Sequence, residues 1–237
     1  MSKKTCVIIP CFNVAEAIGN IVAEIKRQAL DVIVIDDGST DSTAEIAEKS
    51  QAVILKNTVN RGKGVSLCLG FEYALNNGYE TVITMDGDGQ HFPGDIADFL
   101  RTEKTGAKII VGNRMYSHNN MPFVRWLTNK IMSKVISGIC RQYIPDSQSG
   151  FRLIKSLCLK ELKLKSKHFE IESEILLEAA RCGYKIISIP IKSIYRNSRS
   201  RISALADTYR FIKFIVPYLW PNNPIAGERI AEDIWKE

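Results

Sequence analysis

Two carboxylates separated by one glycine, Asp86-Gly87-Asp88, stand at the end of the apolar run Thr81-Val82-Ile83-Thr84-Met85 and are followed by Gly89-Gln90. Successive side chains of an extended segment alternate between faces, so Asp86 and Asp88 are expected on the same side, and the glycines let the backbone come close to a ligand. Hard oxygen ligands of this kind suit Mg2+ or Mn2+ holding a phosphate. Asp36, Asp37 and Asp41 form a second acidic group after the apolar run 32–35, and Pro10-Cys11-Phe12-Asn13 closes a first run at 6–9. Short motifs recur by chance, so their weight depends on the elements that carry them.

Apolar runs at residues 6–9, 32–35, 52–55, 81–85 and 108–111 are separated by segments of helical spacing, such as Ile18, Ile21, Val22 and Ile25. This alternation predicts an α/β protein with βαβ units and a largely parallel central sheet flanked by helices. The strand interiors lack charge, as expected for a sheet covered on both faces. Ligands of open α/β sheets sit beyond the carboxyl ends of the strands, where the three clusters fall. Asp41 and Ser42 also read as the cap of the next helix, whereas Asp36, flanked by apolar residues, reads as a ligand. Past residue 120, Val124, Leu127, Ile131, Val135 and Ile139, and later Leu205, Tyr209, Ile212, Val216 and Leu219, each predict an amphipathic helix whose apolar stripe packs on the core. The expected organisation is one catalytic domain over residues 1–203, with a C-terminal amphipathic helix and tail at 204–237.

The 237 residues are 45% apolar and 24% charged, the make-up of an ordinary globular protein with a sizeable core. Of the net charge of +6, residues 191–220 carry six basic side chains against Asp207, a net +5. Such a stripe attracts nucleic acid, an anionic lipid surface or a phosphorylated substrate. Six cysteines without a C-x-x-C pair and three scattered histidines argue against a zinc site or a disulfide framework. The first apolar segment ends at Pro10 and fits a strand better than a signal peptide, and no uncharged apolar run reaches the ~18 residues that span a bilayer. A reducing, cytoplasmic location is expected.

Taken in order, Pro10-x-x-Asn13, Val34-Ile35-Asp36-Asp37-Gly38-Ser39-x-Asp41, Asn60-x-Gly62-Lys63-Gly64, Met85-Asp86-Gly87-Asp88-Gly89-Gln90 and Ser149-Gly150-Phe151-Arg152 resemble glycosyltransferase family 2 over about residues 5–203. The likeness is strongest to its dolichol-phosphate mannosyltransferase branch, which glycosylates polyprenyl phosphates. It implies a GT-A fold, inversion at the anomeric carbon, a nucleotide-sugar donor such as GDP-mannose or a UDP-sugar, and a divalent cation. By the same resemblance Pro10, Phe12 and Asp36 form the nucleoside pocket, Lys63 contacts the donor, and Asp86, Asp88 and Gln90 hold the metal. Arg114, assisted by Arg125, meets the acceptor phosphate, and Asp146 positions the acceptor or a cation. Arg196 and Arg201 lie in a basic loop that clamps the donor diphosphate and acceptor. A Glu is usual directly after Asn13 in the family; Val14 stands there, with Glu16 two positions later.

Transfer to a sugar hydroxyl needs a carboxylate base, often signalled by a Glu-Asp pair, and none stands in the stretch Asp146-Ser147-Gln148-Ser149-Gly150-Phe151-Arg152. A phosphate acceptor is already ionised near neutral pH. A family-2 transferase acting on a sugar hydroxyl is the alternative, and a phosphatase of the haloacid-dehalogenase type, which places Asp-x-Asp-Gly near the start of its core, is a further one. An EF-hand is excluded by His91 and Ala97 at its sixth and twelfth positions. No RNA-binding or helix-turn-helix signature accompanies the basic stripe, so no nucleic-acid partner is expected. The oligomeric state is not legible. With a bilayer-borne acceptor and no spanning segment, the basic 191–220 stretch and Phe211, Phe214, Tyr218 and Trp220 predict reversible attachment to the cytoplasmic face of a membrane.

Overall fold

The computed structural model describes residues 4–116, 121–194 and 204–219. Seven strands form one sheet: β1 Thr5–Cys11, β2 Asp31–Asp36, β3 Val53–Lys56, β4 Thr81–Thr84, β5 Ile109–Asn113, β6 Arg152–Lys155 and β7 Ile186–Pro190, in the order β3-β2-β1-β4-β6-β5-β7. Six run parallel; β6 alone runs opposite, between β4 and β5. The five sequence runs correspond to β1–β5, and β6 and β7 complete the sheet beyond them.

The helices are α1 Ala15–Lys26, α2 Thr43–Lys49, α3 Lys63–Asn76, α4 Ile96–Glu103, α5 Phe123–Cys140, α6 Ser156–Leu159, α7 Ile171–Arg181 and α8 Ala204–Ile215. The pleat divides the strands between two cores. Cys6, Ile8, Ile33, Ile35 and Val82 face α3, α5, α7 and α8, while Val7, Ile9, Val32, Val34 and Ile83 face α1 and α4. Both faces are covered, so the central strands are apolar throughout. Each fully buried Ile contributes roughly 1.5–3 kcal/mol of transfer free energy.

Two helices depart from the sequence expectation. The buried side of α5 is Asn129, Met132, Ser133, Ile136 and Cys140, whereas Val124, Leu127 and Ile131 of the predicted stripe are exposed. In helix α8 and the turn after it as well, Ile212 and Val216 of the predicted stripe are exposed. Its Phe211 and Ile215 are buried in the main core, with Phe214 and Tyr218 packed against it, so the aromatic residues expected at a membrane are consumed by the fold. Trp220 lies outside the described residues. No helix among the described residues is long and apolar enough to cross a membrane.

Candidate active site

Adjacent strands β2, β1 and β4 end side by side, at the point where the chain order around β1 reverses. Pro10 is the penultimate residue of β1, Phe12 is part-exposed just beyond it, and Asn13 takes a left-handed backbone with φ of 53°. Asn pays less than most residues for that conformation because its side chain bonds locally. Here Asn13 Oδ1 accepts the Thr40 N–H at 2.8 Å, and the Asn13 N–H donates to Ser39 Oγ at 2.9 Å. These bonds tie the β1 end to the β2 loop. Asp41 joins them structurally, accepting from the Thr43 and Ala15 N–H groups.

Asp36 and Asp37 are neighbours with different work. Asp36 ends β2, is buried, and accepts the Ser39 N–H at 3.1 Å. Asp37 accepts from Asn57 Nδ2, the Arg61 N–H and the Gly62 N–H at 2.7, 3.0 and 2.8 Å. It therefore brackets the loop that delivers Lys63. The N-terminus of α3 is not open to a phosphate, because the Gly64 and Val65 N–H groups donate to Lys167 O.

Lys63 is the centre of a buried charge chain. Its Nζ lies against Asp86 Oδ1 and 2.7 Å from Glu172 Oε1, and Glu172 Oε2 is 3.0 Å from Arg152 Nη2. Burial alone would lower the Lys63 pKa, but Asp86 and Glu172 raise it, so the ammonium stays charged. Burial would likewise raise Asp86, yet Lys63 first and His91 next hold it well below the usual carboxylate range. Arg152 is fully enclosed and also donates to the carbonyls of Ser149, Ser147 and Glu172, pinning the 147–149 loop to the start of α7.

Asp88 is the exposed member of the pair, with Oδ1 accepting the Gln90 N–H at 3.0 Å. Partial desolvation by the surrounding chain and the neighbouring Asp86 charge push its pKa up. Gln90 is part-exposed beside it. His91 is buried, stacks on Phe151 at 5.2 Å, and accepts the Asp86 N–H at Nδ1. Burial lowers its pKa to about 4, so it is neutral near pH 7. Among the described residues no three His, Cys, Asp or Glu side chains gather to hold a metal.

Arg114 opens a short 3-10 turn after β5 and is held from both ends by Asp146: Nε to Oδ2 at 2.8 Å, Nη2 to Oδ1 at 2.9 Å, and its own N–H to Oδ2 at 3.0 Å. Both side chains are buried. Asp146 is thus engaged by Arg114, and burial, which would raise its pKa, is outweighed by the guanidinium, which holds it below the usual range. Arg125, in the first turn of α5, is part-exposed and lends positive potential to Asp88. Arg196 and Arg201 lie outside the described residues.

The structure thus brings together Lys63, Asp86, Asp88, Arg114 and Asp146, with Pro10, Phe12 and Asp36 across the same strand ends. Glu172 and Asp37 were not singled out from sequence. The signal for Glu172 is an acid set among the apolar residues of α7, where Glu172, Glu174 and Glu178 are all buried. The glycosyl transferase family 2 model matches residues 6–162. The UDP-N-acetylglucosamine–dolichyl-phosphate N-acetylglucosaminyltransferase of Methanococcus voltae is 30% identical over 81% of this chain and 86% of its own. The polyprenol monophosphomannose synthase of Mycolicibacterium smegmatis is 26% identical over 80% of this chain and 77% of its own. In fold, the chain superposes on glucosyl-3-phosphoglycerate synthase of Mycobacterium tuberculosis, solved with Mn2+ and UDP, with a TM-score of 0.71 at 17% identity, covering 92% of this chain and 79% of that one.

Proposed function

The chain belongs to glycosyltransferase family 2 and has its GT-A fold, and we propose that it moves a sugar from a nucleoside-diphosphate donor to a polyprenyl phosphate at a membrane surface. The observation that carries this reading is the state of the carboxylates: Asp86, Asp146 and Glu172 are each paired with a buried cation, Lys63, Arg114 or Arg152. A hydroxyl acceptor needs a free base to take its proton, whereas an ionised phosphate does not. The M. voltae and M. smegmatis relatives, named for dolichyl-phosphate and polyprenol acceptors, support the same acceptor class.

Asp36 receives the base, and Phe12 and Pro10 wall the nucleoside. Three buried cations balance three carboxylates, so the incoming diphosphate is left uncompensated beside Asp88. Mg2+ or Mn2+ fits there, because such cations take one or two carboxylates and draw their other ligands from substrate phosphates and water. Asp88, Asp86 and Gln90 are the residues that would hold it, and when bound it would supply Lewis-acid charge neutralisation for the nucleoside diphosphate. Lys63 adds a fixed positive charge to the same group. Arg114, its plane set by Asp146, presents the acceptor phosphate for in-line attack at the anomeric carbon, with Arg125, Arg196 and Arg201 as further cations.

The test is transfer. With Mn2+, labelled UDP- and GDP-sugars, and undecaprenyl or dolichyl phosphate, the expected product is lipid-soluble label from one donor. Label on a soluble sugar hydroxyl, with none on lipid from any donor, overturns the reading and identifies the hydroxyl-acceptor branch.

A further inference from the structure

Lys63 is shared unequally between its two carboxylates. Its Nζ donates a hydrogen bond to Asp86 Oδ1, whereas Glu172 Oε1 lies 2.7 Å from it without hydrogen-bond geometry and takes no other donor among the described residues. A buried acceptor left in that state is uncommon and costs free energy. The other two buried acids of α7 show the contrast. Glu174 accepts the Lys165 and Ser166 N–H groups, and Glu178 accepts the Lys163 N–H and the Arg181 guanidinium. Glu172 is also fixed in place: its Oε2 is 3.0 Å from Arg152 Nη2, Arg152 Nη1 donates to its carbonyl, and the arginine is fully enclosed. One oxygen of the carboxylate is thereby engaged, and the other is turned to Lys63.

Resting on the metal reading of Asp86 above, we propose that Glu172 is a positioning residue, the carboxylate onto which Lys63 withdraws when Asp86 takes up a divalent cation. An ammonium hydrogen-bonded to Asp86 and a cation on the same carboxylate repel at short range, so Asp86 cannot serve both. Glu172 Oε1 is already within reach of the ammonium, so the shift needs a small turn of the Lys63 stem and no movement of α7. Side-chain type agrees. Lysine is a compact charge with three rotatable donors on a flexible stem, whereas the two-point fork of Arg114 on Asp146 has one arrangement. Withdrawn to Glu172, Lys63 keeps a counter-ion in a buried setting where a lone charge is costly, and it stays beside the donor diphosphate.

The experiment is a Mn2+ titration of the full chain, without donor and then with UDP, read from the electron paramagnetic resonance signal of free Mn2+. Glutamine keeps the shape of Glu172 but has one acceptor oxygen for two cations. Glu172→Gln is expected to weaken Mn2+ binding by about fivefold or more while Lys63 is present, and by less than about twofold in a Lys63→Met background, a coupling that independent sites do not show. Lys63→Met alone is expected to bind Mn2+ more tightly than wild type and UDP more weakly; weaker Mn2+ binding overturns the competition for Asp86. Equal weakening by Glu172→Gln in both backgrounds overturns the proposal, because distortion through Arg152 or loss of a distant charge acts whether or not Lys63 is there. Wild-type Mn2+ affinity in Glu172→Gln overturns it too. Should circular dichroism show that Glu172→Gln does not fold, Glu172→Asp, which keeps a charge for Arg152 and draws back from Lys63, goes through the same cycle and the same outcomes decide. No Mn2+ uptake by the wild type, with or without UDP, overturns the metal reading on which the proposal rests.

Discussion

A β-carbon on Gly150 would lie 2.5 Å from a carboxylate oxygen of Asp86. The glycine is also fixed from the strand side, because Thr84 Oγ1 donates to its carbonyl at 2.8 Å. Gly150→Ala must therefore push Asp86 off Lys63 or tear the loop from β4. Misplacement of a reacting group by about 1 Å costs on the order of a hundredfold in rate. A fall in kcat of that order, with the thermal midpoint lowered by a few degrees at most, is expected; steady-state kinetics and a melting curve check it.

Asp88→Ala removes an exposed carboxylate that supports only a local turn, so stability should change by less than about 0.5 kcal/mol. Metal-dependent donor binding should vanish. Isothermal titration with UDP- or GDP-sugar, with and without Mn2+, measures this. Wild-type affinity in the variant removes Asp88 from the metal-binding role.

The Arg114–Asp146 pair separates stability from chemistry. Arg114→Met leaves a buried carboxylate alone and should cost about 3–5 kcal/mol, whereas Arg114→Met with Asp146→Leu should recover most of that loss and none of the activity. Arg114→Lys keeps the charge but not the two-point fork, and should raise the acceptor KM. The pH dependence has a definite sign. The folded Asp146 pKa is depressed, so its contribution is fully present above the unfolded value near about 3.9 and is lost as pH falls through the lower folded value. The stability difference between wild type and Asp146→Asn in urea melts should therefore begin to shrink only below about pH 4 and vanish below the folded value.

Burial pushes the Cys6 and Cys140 thiols up to about 12, Cys11 well above its ordinary value, and Cys158 in the same direction. The half-buried Cys68 and Cys182 are the accessible pair. At pH 8, a thiol reagent such as DTNB should modify those two in the native protein and reach all six only in denaturant. A count above two without unfolding contradicts the packing described.

The parallel half of the fold was legible because the interiors of its central strands β1, β2 and β4 are buried on both faces and carry no charge to blur them. Strand β6 was not. It begins at Arg152 and ends at Lys155, and only the pairing of Arg152 with Glu172, from a helix not yet formed, makes that arginine an interior residue. The α5 stripe misled for a related reason: periodicity locates an apolar face without saying which side the core is on. There Ser133 turns inward because the Ser147 N–H donates to its Oγ at 2.9 Å. In the site, the Asp-Gly-Asp loop and Asp36 followed from strand ends alone. Glu172 and Asp37 act on backbone and side chains far away in sequence, so their roles depend on contacts that the local pattern around each does not show.

The reversed strand in the middle of the sheet has a bearing on how the chain is made. Leaving the ribosome in order, β1 to β4 can pair at once, but the outer edge of β4 has no partner until residues 152–155 emerge, and β5, made earlier, must wait for the same four residues. An unpaired apolar edge is a template for pairing with other chains. The Asp86–Asp88 loop shares this delay. Its floor, Gly150, arrives with β6, so a nascent chain stopped short of residue 150 carries Asp36, Asp86 and Asp88 in order with nothing beneath them to hold the carboxylates in place.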